Sequence, residues 1–269
     1  MIGVALVAAA AAVHVVPTRA TVPPRLDGRL DDAAWTAAAP FTALVQKDPD
    51  AGQPPSEPTS IRFLYTDRAL WVGIDCVQRR SPPVRRLTRR DREVDADRVE
   101  VDLDTRQSGR SAYLFEVNAA GVLVDGLRYD DTEVDTSWDD NWEARVAHTD
   151  GRWTVEIRIP LRILRYADRG RQSWGVQVRR FVSARQETDE LAPIPRGQAG
   201  EVSRYGTLGP FDALTTTAGL ELRPFALSSV ERGPDGAYTP RATAGGDLRW
   251  RASPSLTLDA TVNPDFAQV

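Results

Sequence analysis

The stretch DRVEVDLDT, residues 97–105, alternates polar and apolar positions without a break. In an extended strand Val99, Val101 and Leu103 share one face. Glu100, Asp102 and Asp104 share the other, with successive carboxylates roughly 6.5–7 Å apart. The same period of two recurs up to residue 210. TSIRFLYTDRALWVGIDCV predicts strands over 60–65 and 69–77, joined at Thr66-Asp67-Arg68. SAYLFEVNAAGVLVDGLRY predicts another pair, turning at 118–121. NWEARVAHTDGRWTVEIRIP predicts a hairpin with strands over 142–147 and 153–159, around Thr149-Asp150-Gly151. SWGVQVRRFVSAR is the last long strand of this part. Helical signals are few: DDAAWTAA over 31–38, and PLRILRYA with Pro160 at its first position. Regularly spaced strands with so little helix predict an all-β fold, an immunoglobulin-like or jelly-roll type β-sandwich.

After Pro210-Phe211 the pattern becomes alternating segments of about ten residues, the signature of transmembrane barrel strands, with a turn at 233–236. Three or four such strands cannot close a barrel, because bacterial barrels start at about eight. The expectation is a truncated start of a C-terminal β-barrel domain, with a small sheet packed on the sandwich as the alternative. At the other end, MIGVALVAAAAAVHVV is apolar and too short to span a bilayer comfortably. It reads as the h-region of a secretory signal, with cleavage options around residues 10–12, although no Lys or Arg precedes it. A frayed N-terminal strand is the alternative. The expected organisation is a signal peptide over 1–20, a sandwich over 21–212 and a barrel start over 213–269. The expected location is extracytoplasmic, in the periplasm or outer membrane of a Gram-negative bacterium.

Composition narrows the chemistry. A net charge of −4 and a pI near 5.4 argue against a nucleic-acid partner. Lys47 is the only lysine, so the basic charge is almost all arginine. Cys76 is alone, which leaves no intrachain disulfide and no cysteine metal cluster. With only His14 and His148, a His-rich zinc site or a Ser-His-Asp triad is disfavoured. No cofactor is expected, with one candidate exception. The loop YDDTEVDTSWDDN offers Asp130, Asp131, Asp135 and Asp139 to a calcium ion, without the spacing of an EF-hand loop. Its plain alternative is a solvated acidic loop. Arg179 and Arg180 lie on opposite sheet faces, where one can pair with an inward acid such as Glu156 or Glu187.

Several of these segments also carry a family resemblance. PPRLDGRLDDAAW resembles the P-x-I-D-G-x-L-D-E-x-x-W opening of the family 9 carbohydrate-binding modules. FLYTDRALWVGIDC, DADRVEVDLDT, DGRWTVEIRIPLRIL, SWGVQVRR and SRYGTLG resemble later elements of those modules, in order, over about 190 residues. AYLFEVNAAGVLVD, SWDDNWEARVAHTDGRWTVEIRIPLRILRY and VNPDFAQV look like a bacterial subgroup. In that subgroup the module precedes an outer-membrane barrel domain of unknown function, DUF5916. The opening motif also has a structural reading: Asp27-Gly28 as a tight turn, Leu26 and Leu30 as core, and Trp35 as a plug over the sandwich end.

The resemblance implies a β-sandwich that binds an oligo- or polysaccharide between two aromatic rings beside a strand carboxylate. Glu100 matches that carboxylate. The ring positions fall on Val94 and near Ala199, and an arginine of the next strand falls on Glu116. Trp138 and Trp142, with Tyr129 nearby, can substitute as aromatics, and Arg179 completes the candidate ligand set. Three functions follow. The first is an exported carbohydrate-binding module, linked to carbohydrate catabolism at the cell envelope and to its own C-terminal barrel. The second is a non-catalytic interaction domain that plugs or gates that barrel. The third is a hydrolase of O-glycosyl bonds, which needs two converging carboxylates, one with a raised pKa.

Overall fold

The computed structural model describes residues 13–92, 94–167, 170–212, 214, 219–232, 238–253 and 256–263. Most of the leader-like segment, the turn at 233–236 and residues 264–269 of VNPDFAQV lie outside the described residues. The chain divides into two compact units, Met1–Thr215 and Thr216–Val269.

The first unit contains β1 (His14–Val15), β2 (Thr18–Arg19), α1 (Ala33–Ala37), β3 (Val45–Asp48), β4 (Thr59–Tyr65) and β5 (Ala69–Val77). It continues with β6 (Arg98–Asp104), β7 (Ala112–Asn118), β8 (Leu123–Tyr129), β9 (Glu133–Asp135), β10 (Glu143–Thr149) and β11 (Arg152–Pro160). β12 (Arg171–Val182), β13 (Glu187–Glu190) and β14 (Gly206–Asp212) complete it. The first sheet runs β1-β14-β12-β6-β7-β8-β9, with β13 on β12 and β3 on β13. The second runs β10-β11-β5-β4-β2. Pairing is antiparallel except for β1 with β14 and β2 with β4.

The architecture is the predicted all-β sandwich. Val99, Val101 and Leu103 of β6 are fully buried and pack with Phe115 and Val117 of β7 and Val176 and Val178 of β12. From the second sheet, Ile61 and Phe63, Val72 and Ile74, and Val155 and Ile157 close the same core. Every second residue of each strand thus removes its side chain from water, the term that drives the fold. The predicted hairpin turns at Asp150-Gly151, where Gly151 has φ +64°. PLRILRYA forms only one 3-10 turn, Leu161–Ile163, because Pro160 still pairs with Ala69 as the end of β11. The edge strand β3 and the strand β13 that joins it to β12 were not predicted. Their sequences, VQKD and ETDE, carry no apolar alternation.

The outer face of the second sheet is covered by the N-terminal segment. Trp35 is fully buried there with Leu64, Ala69 and Trp71, and Leu26 and Leu30 pack alongside. A Cβ on Gly73 would meet Leu30 at 2.7 Å and Trp35 at 2.9 Å, so glycine makes room for the indole. Glu156, the cross-strand neighbour of Gly73, accepts hydrogen bonds from Trp35 Nε1 (2.7 Å) and from the Asp27 and Gly28 amides (2.8 and 2.7 Å). Gly28 has φ +86°, and a Cβ there would sit 2.7 Å from the Val146 carbonyl carbon. The opening motif is therefore structural, as its residues suggested. Trp35, however, seals a sheet face and carries a polar bond, where a plain apolar plug over the sandwich end was expected.

The second unit is an open, antiparallel three-stranded sheet of β15 (Gly219–Arg232), β16 (Tyr238–Ser253) and β17 (Leu256–Val262). Leu220, Trp250 and Leu258 are cross-strand neighbours, and all three are exposed. At the alternate positions Arg249 pairs with Asp259 (2.7 Å) and Thr261 donates to Asp247 (2.8 Å). The strands are amphipathic, and no barrel closes among the described residues. No helix among them is long and apolar enough to cross a membrane.

Candidate functional site

The outer face of the first sheet has a different character. Glu100 and Asp102 of β6 point there, beside Arg179 of β12, the cross-strand neighbour of Glu100. Arg128 reaches them from β8, across β7. Its Nε lies 2.7 Å from Asp102 Oδ2 and its Nη2 2.8 Å from Glu100 Oε1. Arg179 Nη1 donates to the same two oxygens, at 2.5 Å to Glu100 and 2.8 Å to Asp102. The rest of the Arg179 guanidinium bonds Glu190 of β13 (3.1 Å) and Glu201 of the following loop. Tyr205 donates to Asp102 Oδ2 at 2.5 Å, and Lys47 of β3 lies 3.0 Å from Glu190.

Electrostatics follow from this packing. Burial pushes the Glu100 carboxyl up, but Arg179 and Arg128 outweigh it and hold the group below its ordinary range. Burial and the neighbouring Glu100 raise the Asp102 carboxyl in spite of the same arginines. The carboxylates hold both guanidinium pKa values above the ordinary arginine range although burial opposes it. Asp102 is fully buried and its Oδ1 has no hydrogen-bond partner. Glu100 and Asp102 share one guanidinium nitrogen instead of facing each other across a cleft. That arrangement suits binding better than an opposed acid–base pair.

Alternation puts the carboxylates of β6 on one face and leaves open whether that face is wet. In the structure Glu100 and Asp102 enter the ion cluster. Asp104, 3% exposed, accepts from the Gly109 amide (2.7 Å) and organises the turn after β6. Glu116 is the cross-strand neighbour of Glu100 and pairs with Arg98 at 2.9 Å. Trp142 is 2% exposed with its ring 5.1 Å from Phe115, and Trp138 packs on Tyr113 (5.2 Å) and Phe115 (6.0 Å). Both indoles are spent on the core, because β10 and the loop before it must close the sandwich edge. Tyr129 is half-exposed, and strand alternation places it on the face opposite to Arg128. The structure thus gathers Glu100, Arg179 and Glu116 on one face and leaves the tryptophans away from it.

Arg128, Asp102, Glu190, Glu201 and Tyr205 were not foreseen as members. The phase of alternation places Arg128 outward, but its reach across a strand has no local signal. Neither arginine of the β12 pair takes the expected partner. Glu156 belongs to the other sheet's outer face. Glu187 accepts from the Ser56 amide (2.7 Å) and Arg185 (3.0 Å). Arg180 is buried and donates to Thr59 Oγ1 (2.7 Å) and the Val77 carbonyl (2.8 Å).

The four candidate calcium ligands disperse. Asp130 pairs with Arg110 (2.8 Å), Asp131 accepts from the Glu201 and Ser203 amides (2.9 Å each), and Asp135 accepts from the Ser137 amide (2.9 Å). Only Asp139 joins a convergent acidic group, with Asp91 and Asp125, whose oxygens lie within 4.8 Å of one another. Such a set can coordinate a divalent cation such as calcium. Arg90 already reaches into it, 2.6 Å from Asp125 and 3.0 Å from Asp139. Burial raises the Asp125 carboxyl, against hydrogen bonds from the Asp140 amide and Arg90.

Comparison with known proteins agrees with this fold. The family described as Carbohydrate family 9 binding domain-like matches residues 26–191. No curated protein matches the chain. A family 9 carbohydrate-binding module from Caldicellulosiruptor kristjanssonii, in complex with glucose, is 16% identical with a TM-score of 0.53, covering 72% of this chain and 94% of its own. Its cellotriose complex gives 16%, 0.52, 76% and 94%. A candidate carbohydrate-binding protein from Bacteroides uniformis gives 14% identity and a TM-score of 0.58, covering 74% and 99%. At these identities the likeness is one of fold.

Proposed function

Because the chain belongs to the carbohydrate family 9 binding domain-like family, we propose that its sandwich is a carbohydrate-binding module whose ligand face is the Glu100 cluster. The observation that carries this reading is the convergence of Glu100, Asp102, Arg128 and Arg179 on one outer sheet face. Carboxylates only accept and guanidiniums only donate, so together they match the donor–acceptor pairs of neighbouring sugar hydroxyls. The glucose and cellotriose complexes of the Caldicellulosiruptor module support the ligand class. Hydroxyl hydrogen bonds largely exchange with water, and neither Val94 nor Ala199 supplies a ring. Affinity therefore rests on oligosaccharides that span several polar contacts.

We read the module as residues 21–212 together with the short strands β1 and β2 at 14–19, which pair with β14 and β4. It is exported by the leader-like residues before them and serves carbohydrate catabolism at the cell envelope. On this reading it is followed over 213–269 by the start of a DUF5916-type outer-membrane barrel. The leader-like N-terminal residues and the amphipathic strands β15–β17 support this placement. A second reading, an interaction domain that plugs or gates the barrel, is favoured by one observation: the charges of the cluster already satisfy one another. Calorimetric titration with glucose and cellotriose, and a glycan array with and without calcium, separate the two. The module reading expects oligosaccharide binding that weakens about tenfold in Glu100→Gln. No binding to any glycan at millimolar concentration leaves the second reading.

A further inference from the structure

The opposite side of the sandwich, on the outer face of the second sheet, holds a cavity of 740 Å³. Its lining includes the exposed Pro23, the buried Trp71, and Arg19, Arg68, Arg158 and Asp67 as charges. Three guanidiniums against one carboxylate leave the lining positive. Arg19 is paired with Asp67 at 2.5 Å. Arg158 lies over the Trp71 ring, 5.8 Å from its centroid, and is tied to Glu143 at 2.6 Å. The Arg68 side chain has no hydrogen-bond or ion-pair partner among the described residues, and the buried indole N–H of Trp71 has none either. Both are donors: the buried Trp71 N–H is left unpaired and calls for an acceptor, and the exposed Arg68 guanidinium adds an uncompensated positive charge beside it. The volume lies within the range of small-molecule sites and exceeds what an inorganic anion fills.

We propose that this cavity is a second binding site, for a carboxylate-bearing saccharide of two or three rings. A uronate carboxylate fits a guanidinium in bidentate fashion, and a sugar ring offers a C–H face to the exposed Pro23 ring. Trp71, only 4% exposed, contributes its unpaired N–H and no stacking face. The saccharide half of the assignment rests on the function proposed above. The anionic half rests on the lining alone.

Calorimetric titration of the full chain with trigalacturonate, its neutral methyl ester, sodium sulfate and cellotriose tests it, with Arg68→Ala and Arg158→Ala as variants. The expected result is trigalacturonate binding at least about tenfold tighter than the ester, weakening with added salt. Arg68→Ala weakens it by a further factor of about ten. The Arg68 side chain is exposed, so this variant keeps its melting temperature and isolates the site where Arg158→Ala also disturbs Glu143. Equal affinity for the ester, sulfate binding as tight as the trimer, or indifference to Arg68→Ala each overturns the proposal. Uronate binding that depends on Arg68 without any cellotriose binding removes the Glu100 reading and keeps this one. Cellotriose binding without Arg68-dependent uronate binding does the reverse.

Discussion

On the outer face of the second sheet, Trp35 lies over Gly73 and one carboxylate, Glu156, is consumed by three N–H donors from the covering segment. On the outer face of the first sheet, Glu100 and Asp102 are met by two arginines from other strands. Both faces arise from strands whose sequence alternates in the same way, and both leave the wet state that alternation suggests. One does so by apolar cover and the other by charge pairing. The first kind of surface is structural and closed where Trp35 and its covering segment lie, and it opens beside them, at the cavity bordered by Arg68 and Arg158. The second keeps 11–16% side-chain exposure at Arg128, Glu100, Arg179 and Glu201, which is enough to be read by a ligand. Burial of an outer face therefore does not by itself separate scaffold from site. The kind of group that performs the burial does.

This contrast can be broken at its strongest point by Arg179→Ala. The variant strips the shared cation from Glu100, Asp102, Glu190 and Glu201, and the expected loss is about 3–5 kcal/mol in denaturant unfolding. A loss below about 1 kcal/mol means that the cluster is solvated and the comparison fails. On the covered face, Trp35→Phe keeps an aromatic ring over Gly73 but removes the N–H donated to Glu156. The expected cost is about 1–3 kcal/mol, measured in the same way.

A pH titration sharpens the role of pairing. Asp189, on the inward face beside Arg180, is fully buried and neither of its oxygens has a hydrogen-bond partner. Burial, then the nearby Glu187, push its carboxyl up to about 7. A carboxyl raised on folding stabilises the fold fully below its unfolded pKa of about 3.9. That contribution is lost as pH rises through about 7. Asp189→Asn should flatten the thermal stability profile between pH 4 and 7. Glu100, held low by its arginines, acts with the opposite sign: its contribution is present above the ordinary glutamate range and is lost on acidification. A profile that Asp189→Asn leaves unchanged removes the distinction between paired and unpaired buried carboxylates. The smallest effect is expected at the exposed Arg19–Asp67 pair, where Asp67→Ala should change stability by less than about 1 kcal/mol in the same unfolding assay.

Much of this was legible in the chain. The runs at 60–65, 69–77 and 97–105 and the hairpin over 142–159 became strands because alternation decides which side chains meet the core. The Asp27-Gly28 turn and Trp35 announced a structural opening, and Glu100 stood out as the strand carboxylate. What alternation leaves undetermined is the fate of the other half of each strand. Nothing local tells Arg128 that it will cross β7 to reach Asp102, or Glu201 that a loop will carry it to Arg179. The four aspartates of the 129–141 loop looked equivalent in sequence. Only Asp139 met Asp91 and Asp125, because that meeting depends on how β8 and the loop before β10 fold against each other.

By itself the sequence determined an all-β sandwich, its main strands, its inner faces and its family, since each depends on residues within a few positions of one another. The tertiary structure alone decided which outer positions are buried and by what. It also decided which charges share an oxygen, and where three arginines border one cavity. Those outcomes come from groups far apart in the chain brought within Coulombic and hydrogen-bonding range, a distance that no periodicity encodes.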